Sequence, residues 1–319
     1  MVELPIWNES SFTELRKQYQ GNRLPHGMLI VGHKGNGSGL FLKQLFNYLL
    51  CLSPGESACG TCKACHLASS GHHPDFVHIE PEGKSMTIKV DAIRSMTQKI
   101  SETAQQSGNK VVYIESAQKM NANAANALLK VLEEPTSNTF ILLETDQLGQ
   151  TLPTIRSRCR IVQLEKPSIE QAVRYIQQHD TSIDPQVSLG IALNRPLDAL
   201  NIDSTEVERW FEAEKKFFGN QSFTELSLYV TNSNIEKLYE QILIWIDSAL
   251  RDQQNAKIEL APVSEGLVQS LQHHNSVSLF QFRDYIVDKM AAMKRQSNLN
   301  AQLMAEELTS RWLELRGKQ

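Results

Sequence analysis

No apolar run in the sequence approaches the ~20 residues that a membrane-spanning helix requires, which excludes a helical membrane protein. An excess of basic residues is also missing: 32 Lys and Arg stand against 36 Asp and Glu, a formal charge of -4. This balance argues against a protein that coats nucleic acid along a broad basic surface, although it permits a local basic patch. Residues 1–5 contain no basic segment followed by an apolar one, as a secretory signal would, so we expect a cytoplasmic protein with no membrane partner.

Proline and glycine become scarce along the chain. Only Pro262 follows Pro196, and most of the 16 glycines precede residue 110. This change predicts an α/β first half and a mostly helical second half. In the first half, short apolar runs alternate with helical patterns, which predicts a parallel sheet with helices on both faces. The five predicted strands are Met28–Val31, Phe76–Ile79, Val111–Ile114, Phe140–Leu143 and Ile161–Leu164.

The second half has no strand patterns from about Pro167 onward. Two short helices are expected at Ser168–Gln178 and Asp184–Leu193, and a third begins near Pro196. The longer amphipathic stretches that follow are Trp210–Phe218, Ile235–Leu250, Ser278–Met293 and Leu299–Leu315. We therefore expect three domains: an α/β domain at 1–165, a three-helix domain at 166–205 and a helical domain at 206–319.

Residues Gly32–Gly39 read G-H-K-G-N-G-S-G and lack two side chains of a working phosphate-binding loop. In the working pattern, G-x-x-x-x-G-K-[ST], backbone N–H groups cradle phosphates, the lysine reaches the β/γ-phosphates and the hydroxyl group holds Mg²⁺. Gly32 and Gly37 are in register, but Ser38 stands at the lysine position and Gly39 at the hydroxyl position. We expect a loop that keeps backbone donors but binds no ATP, and in which Lys34 does not replace the missing lysine.

A second nucleotide-binding motif is also incomplete. In P-loop ATPases an apolar strand ends in an acidic pair, of which one residue serves Mg²⁺ and the next orients the attacking water. Here the strand predicted at 111–114 is followed by Glu115 and Ser116, so the second acid is missing. Together the two defects predict an ATPase scaffold that does not itself hydrolyse ATP.

Four of the five cysteines form the cluster C-x7-C-x2-C-x2-C, at Cys51, Cys59, Cys62 and Cys65. This spacing suits tetrahedral coordination of one structural Zn²⁺ by four thiolates, in an insertion at about 51–66. Disulfide bonds are the first alternative, which a cytoplasmic location disfavours. Covalent haem is the second, because residues 62–66 read C-x-x-C-H; this pattern usually belongs to exported proteins and would leave two cysteines without a role.

Three features together resemble bacterial clamp-loader subunits of the AAA+ class. They are the run Asn126–Pro135, N-A-L-L-K-V-L-E-E-P, the motif Ser157-Arg158-Cys159 and the cysteine module. The resemblance is strong over roughly Leu24–Leu164 and looser beyond. It implies a RecA-like AAA+ module, a small helical lid and an all-α collar domain through which subunits join in a ring. It points to the kind of subunit that has lost its nucleotide machinery but keeps the cysteine module and the Ser-Arg-Cys motif.

The resemblance also implies roles for single residues. Arg158 would be an arginine finger that reaches ATP bound by a neighbouring motor subunit, where such a group can raise the hydrolysis rate by ~10³–10⁵. Ser157 and Cys159 complete its motif, and Thr145 takes the position called sensor 1. The implied partners are gamma/tau motor subunits and a delta subunit in a hetero-pentameric ring, with primed DNA contacted through the complex and the sliding clamp contacted mainly indirectly.

The implied function is that of a non-hydrolysing clamp-loader subunit of the DNA polymerase III holoenzyme, which helps to load the sliding clamp onto primed DNA during replication. Two alternatives stay open. An ATP-hydrolysing motor subunit of the same family would need a lysine and a Ser or Thr directly after Gly37. A zinc-dependent nucleic-acid-binding protein on an AAA+ scaffold would be favoured by basic and aromatic residues around the cysteines, but residues 59–65 contain only Lys63.

Overall fold

The computed structural model describes residues 3–83, 86–106, 108–180, 182–254, 270–271, 273–294 and 300–317. The chain divides into two compact units, Met1–Pro167 and Ser168–Gln319. The separation of the second unit into a lid and a collar stays a prediction. Leu299, with which the last predicted helix begins, lies outside the described residues.

A parallel five-stranded sheet forms the centre of the first unit. Every neighbouring pair runs parallel, as the alternation of strand and helix patterns predicts. All five predicted strands are confirmed, with small shifts at their ends. Their bounds are Gly27–Val31 (β1), Phe76–Ile79 (β2), Lys110–Ile114 (β3), Thr139–Thr145 (β4) and Arg160–Gln163 (β5). Across the sheet the strands lie in the order β2-β3-β4-β1-β5.

Helices cover both faces of this sheet. Successive residues of a strand point to opposite faces and therefore enter different hydrophobic clusters. Leu29 of β1 belongs to one cluster together with Leu128, while Met28 belongs to the other together with Phe41. The predicted α/β fold is therefore confirmed. The helices are Glu9–Gln20, Ser38–Leu50, Lys63–Ser69, Val90–Ser101, Ala122–Glu133 and Pro153–Arg156, with short 3₁₀ helices at Ile6–Asn8, Lys34–Asn36, Ala117–Lys119 and Leu148–Gln150.

The carboxyl ends of the central strands meet at one edge of the sheet. β1 pairs with β4 so that Val31 lies opposite Thr145, and the N–H of Gly32 donates to the carbonyl oxygen of Thr145 at 3.0 Å. β3 pairs with β4 so that Ile114 lies opposite Leu143. The loop after β1, the acidic motif after β3 and the end of β4 therefore come together at this edge.

Helices are the only regular elements among the described residues of the second unit. Its main core surrounds the fully buried Trp245 and Trp312, whose ring centroids lie 6.3 Å apart. A smaller cluster around Ile176 and Leu189 packs the short helices at the start of this unit. Within the described part of the chain, no helix is both long and apolar enough to cross a membrane. The helices are Ile169–His179, Pro185–Ile191, Pro196–Ala199, Ser204–Phe218, Phe223–Asn232, Ile235–Gln253, Ser276–Lys294 and Ala301–Leu315.

Candidate functional site

The phosphate-like loop folds into a tight turn that uses its own backbone donors. Lys34–Asn36 form a 3₁₀ helix, and Gly37 follows in the left-handed region with a φ of 91°. The four N–H groups of residues 35–38 all donate within the loop at 2.8–3.4 Å, to the carbonyl oxygens of His33 and Lys34 and to Nδ1 of His33. The expectation that the loop keeps backbone donors for an anion is therefore wrong for these four groups.

Ser38, at the position of the missing lysine, directs its hydroxyl group at a buried carboxylate. Its Oγ donates to Oε1 of Glu144 at 2.5 Å, and the hydroxyl of Tyr113 donates to the other oxygen of the same carboxylate. Burial, reinforced by the charge of Glu144, raises the pKa of Tyr113 far above its usual range, so this hydroxyl keeps its proton. A carboxylate therefore lies beside the position from which a working loop extends its lysine.

Lys34 pairs with the incomplete acidic motif. Its Nζ forms an ion pair with Oε1 of Glu115, whose other oxygen lies 3.5 Å from Nε2 of His78. Burial alone would lower the pKa of Lys34, but the hydrogen bond and the charge of Glu115 outweigh it and raise that pKa. Ser116, at the position of the second acid, adopts a left-handed backbone with a φ of 53°. The Lys34 ammonium is thus engaged by the chain's own carboxylate, and its failure to replace the loop lysine stays a prediction.

Thr145, at the sensor 1 position, ends β4 and is fully buried. Its hydroxyl oxygen accepts hydrogen bonds from the N–H of Gln147 at 3.1 Å and from the hydroxyl of Thr151 at 3.2 Å. The space lined by Gly32, Glu144 and Thr145 is a cavity of about 190 Å³, below the ~300–1,000 Å³ of typical ligand pockets. The residues predicted to form a degenerate nucleotide site do come together, around a space that is small and partly acidic.

Residues shortly before the first long helix close over the loop. Trp7 donates its indole N–H to the carbonyl oxygen of Asn36 at 2.8 Å, and Nδ2 of Asn8 donates to the same oxygen at 3.3 Å. A Cβ atom added at Gly37 would lie 3.0 Å from Cγ of Pro5 and 3.1 Å from Nδ2 of Asn8. The loop is held in its conformation from outside as well as from inside, so an anion would have to displace contacts that the chain already makes.

The four clustered cysteines come together in the first unit. Their Sγ atoms all lie within 4.8 Å of one another, with 4.0 Å between Cys51 and Cys62 and 3.9 Å between Cys59 and Cys65. Four sulfurs at ~2.3 Å from a tetrahedral Zn²⁺ would be spaced by ~3.8 Å, so the observed spacing fits such an ion. All four are free thiols rather than disulfides, and together they can bind a metal ion.

Backbone hydrogen bonds and burial act on these sulfurs in opposite directions. Each cysteine after the first donates its backbone N–H to the sulfur of the preceding one in the cluster, at 3.3 or 3.4 Å. Backbone hydrogen bonds from Thr61 and Cys62 lower the pKa of Cys59 to about 6, whereas burial raises the pKa of Cys65 to about 12. A divalent cation would stabilise all four thiolates together, as it does in structural zinc sites.

Arg158 lies at the surface between the short helix Pro153–Arg156 and β5. Its Nε donates to Oε1 of Glu133 at 2.5 Å, and its Nη1 donates to the carbonyl oxygen of Thr154 at 3.1 Å and to Oγ of Ser157 at 3.3 Å. Because 35% of the side chain is exposed, the guanidinium can still meet a group from outside the chain. Its predicted action on a partner's ATP stays a prediction.

The other two residues of the Ser-Arg-Cys motif contact their own loop and core. Oγ of Ser157 donates to the carbonyl oxygen of Thr154 at 3.1 Å. The Cys159 side chain packs against the hydrophobic core of the first unit, and burial raises the pKa of its thiol to about 12. Cys159 is therefore protonated near neutral pH and serves packing, while Ser157 helps to shape the turn that carries Arg158.

Among the residues that the structure brings into these sites without a predicted role are His33, Glu133 and Glu144. Glu144 has a signal in the sequence, since an acidic residue within an apolar strand indicates a buried polar contact. Glu133 lies in the run that carries the family resemblance, but nothing in its spacing pairs it with a residue 25 positions away. For His33 the sequence offers no signal, because its role depends on the path of the loop backbone.

Known proteins resemble this chain over most of its length. The family model described as "DNA polymerase III, delta subunit" matches residues 7–168, which contain the phosphate-like loop, the four cysteines and the Ser-Arg-Cys motif. The "DNA polymerase III subunit delta'" of Pseudomonas aeruginosa is 30% identical over 332 residues and covers 99% of each chain. The protein of the same name from Haemophilus influenzae is 29% identical over 320 residues and covers 95% of each chain. A solved "DNA polymerase III, gamma subunit-related protein" from Thermotoga maritima covers 95% of this chain and 99% of its own at 19% identity, but its TM-score of 0.45 supports no conclusion.

Proposed function

The chain belongs to the family of DNA polymerase III delta' subunits and is a component of the clamp loader, and we propose that it hydrolyses no ATP itself and acts on the ATP site of a neighbouring subunit. In this proposal it joins gamma/tau motor subunits and a delta subunit in a hetero-pentameric ring in the bacterial cytoplasm. The ring places the sliding clamp on primed DNA, which this chain contacts within the complex. Its own role is that of a non-hydrolysing AAA+ subunit that supplies Arg158 to the ATP site of its neighbour.

The proposal that the chain hydrolyses no ATP rests mainly on the hydrogen bonds within the phosphate-like loop. Its N–H groups at residues 35–38 are already hydrogen-bonded within the loop, and Ser38 is bound to Glu144. A triphosphate would have to break those bonds, and it would meet a carboxylate where a motor subunit offers a lysine. Without a hydroxyl group at Gly39 and a second acid at Ser116, the site also lacks the ligands that hold Mg²⁺ and orient water.

The proposed role of Arg158 follows from the chemistry of the neighbouring site. During hydrolysis a water oxygen bonds to the γ-phosphorus while the bond to the bridging oxygen breaks, and ADP leaves with that electron pair. Negative charge is spread over the phosphoryl oxygens in the transition state, and a guanidinium placed there in trans stabilises it by a factor of ~10³–10⁵ in rate. Arg158 is exposed, permanently charged and fixed by hydrogen bonds from Nε and Nη1, which suits this task.

We also propose that the four cysteines hold one structural Zn²⁺. Four thiolates fill a tetrahedral ion and leave no open position for catalysis, so the ion would act only on the fold. Residues 51–62 contain no helix or strand. Cross-linking by the metal would therefore fix the conformation of a segment that has few backbone hydrogen bonds of its own to hold it.

The two alternative functions are less well supported. An ATP-hydrolysing motor would need the loop donors and the acidic pair that this chain uses internally or lacks. A zinc-dependent nucleic-acid-binding protein would need basic and aromatic side chains around the metal, and residues 59–65 contain one lysine and no aromatic residue.

Reconstitution tests the proposed function. The chain is purified alone and with the gamma/tau and delta subunits of the same bacterium, and ATP hydrolysis is measured with and without clamp and primed DNA. We expect no turnover by the isolated chain, stable co-purification with the motor subunits, and clamp-stimulated hydrolysis only when the chain is present. ATP turnover by the isolated chain that a Gly37 substitution abolishes would contradict the proposal, as would failure to assemble with the motor subunits.

A further inference from the structure

We infer that Glu133 is a positioning residue for Arg158, whose carboxylate holds the guanidinium with one terminal nitrogen free for a phosphate of the neighbouring subunit. This inference rests on the proposed function of Arg158 and names the residue on which its orientation depends. We do not infer any contact between Glu133 itself and the ATP. It acts only through the arginine.

The hydrogen bonds of Arg158 leave one nitrogen of the guanidinium unused. A guanidinium has five N–H donors in a rigid planar fork. Nε donates to Glu133, and the two donors of Nη1 serve the carbonyl oxygen of Thr154 and Oγ of Ser157. Among the described residues, Nη2 has no hydrogen-bond partner. Its two donors therefore remain for an acceptor such as a phosphate oxygen.

Glu133 is well placed to fix this orientation because it ends a helix that is packed into the core. The helix Ala122–Glu133 buries Leu128 and Leu132 in the core of the first unit, and His26 Nε2 lies 2.7 Å from the carbonyl oxygen of Leu132. An arginine without a partner samples many rotamers, of which only a few direct Nη2 outward. The carboxylate on this helix selects one of them.

A carboxylate near an arginine finger could instead hold it away from its target. Such sequestration would be strongest if the carboxylate bound two nitrogens of the fork at once, in the bidentate arrangement that arginine and carboxylates favour. The structure shows Glu133 bonded to Nε, with the other end of the fork held by the carbonyl oxygen of Thr154. This geometry supports positioning, and the two possibilities predict opposite effects when Glu133 is removed.

The test uses the full clamp loader reconstituted with variants of this chain. Glu133→Ala should lower the kcat of clamp- and DNA-stimulated ATP hydrolysis at the affected site by about three- to tenfold, the effect of releasing one rotamer-rich side chain, and leave the KM for ATP unchanged. Glu133→Gln keeps an oxygen that can accept from Nε and should retain most of the rate. Glu133→Asp, shorter by one methylene group, should behave like the alanine variant.

Glu134→Ala provides the matched control. Glu134 is the next residue, carries the same charge, is exposed and has no side-chain partner among the described residues. Its substitution should leave the rate unchanged. Because 51% of the Glu133 side chain is exposed, Glu133→Ala should also leave the melting temperature within about 2 °C of the unmodified chain.

A double-mutant cycle with Arg158→Ala then shows whether Glu133 acts through the arginine. If it does, Glu133→Ala should cause no further loss in a chain that already carries Arg158→Ala. An unchanged or faster rate for Glu133→Ala, an equal loss for Glu134→Ala, or a further loss on the Arg158→Ala background would each overturn the inference. If Arg158→Ala itself had no effect, the proposed function would fail instead, so the two failures can be told apart.

Discussion

Restoring the missing loop side chains by Ser38→Lys with Gly39→Thr should not restore ATP binding. A side chain at position 39 has room, since a Cβ atom there meets nothing within 4 Å. A lysine at position 38, however, starts beside Glu144, to which Ser38 now donates at 2.5 Å. We expect the introduced ammonium to pair with this carboxylate, while the N–H groups of residues 35–38 stay bonded within the loop.

The size of the effect follows from those four hydrogen bonds. Each is worth about 0.5–1.5 kcal/mol net, so opening all four to receive phosphates costs about 2–6 kcal/mol. That cost weakens ATP binding by about 30- to 20,000-fold. At the midpoint of the cost, a Kd of ~1 μM for ATP becomes a Kd of about 1 mM. Even with the sequence pattern restored, the site therefore binds ATP too weakly for an ATP-hydrolysing subunit.

Titration calorimetry with Mg-ATP measures this directly. We expect no resolvable binding at micromolar protein for the unmodified chain or the double variant, with an intact-loop motor subunit as the positive control. Adding Glu144→Gln to the double variant should tighten binding, because the introduced lysine then has no carboxylate to pair with. A low-micromolar Kd for the double variant would refute the proposal that these hydrogen bonds and Glu144 block the site. The same result for the unmodified chain would refute the expected absence of ATP binding.

Two further predictions concern the metal and the second unit. Cys62→Ser should reduce thermal stability and lower the zinc content, measured by atomic absorption, from about one equivalent to well below one. Cys159→Ser, outside the cluster, should keep the ion, and equal zinc in both variants would exclude the four-cysteine site. Trp312→Ala removes a fully buried ring and should lower the free energy of unfolding, measured by chemical denaturation, by about 3–5 kcal/mol. Leu303 is 62% exposed, so Leu303→Ala should change that free energy by less than about 0.5 kcal/mol. A loss below about 1 kcal/mol for Trp312→Ala would contradict the packing described for this core.

The parts of the fold that were predicted correctly are those that local sequence determines. Apolar runs such as Met28–Val31, bounded by glycine and proline, form buried strands because only a strand in a covered sheet buries every residue of so short a run. The cysteines come together because close spacing allows few other arrangements. In the second unit, the helix Phe223–Asn232 was missed although Ser222 and Glu225 form a capping box that marks its start in the sequence.

The parts that were not predicted depend on contacts between distant residues. Ser38 and Glu144 are 106 positions apart, and only the pairing of β1 with β4 brings their segments together. The use of the loop N–H groups by His33 is a property of the backbone path, which the loss of the lysine and hydroxyl side chains permits but does not dictate. An inactive nucleotide site therefore stays a prediction from sequence, and the sequence pattern does not show which residues make the contacts that fill the site.

Replacing Arg158 with alanine shows whether this residue acts on the ATP of another subunit, as proposed. The complex is reconstituted with Arg158→Ala, and clamp- and DNA-stimulated ATP hydrolysis is compared with that of a complex carrying Arg160→Ala. The control removes the same charge two residues away, from a side chain bonded to Glu14 and Gln18 of its own unit.

We expect Arg158→Ala to lower the stimulated rate sharply but only in part, because the proposed ring has several motor sites and loses the arginine at one of them. Arg158→Lys should rescue poorly, since an ammonium cannot reproduce the planar fork, and zinc content, stability and assembly should stay close to those of the unmodified complex. Arg160→Ala should leave the rate unchanged. Stimulated ATP hydrolysis that is the same with Arg158→Ala as with the unmodified chain would contradict the claim and leave this subunit with a purely structural place in the ring.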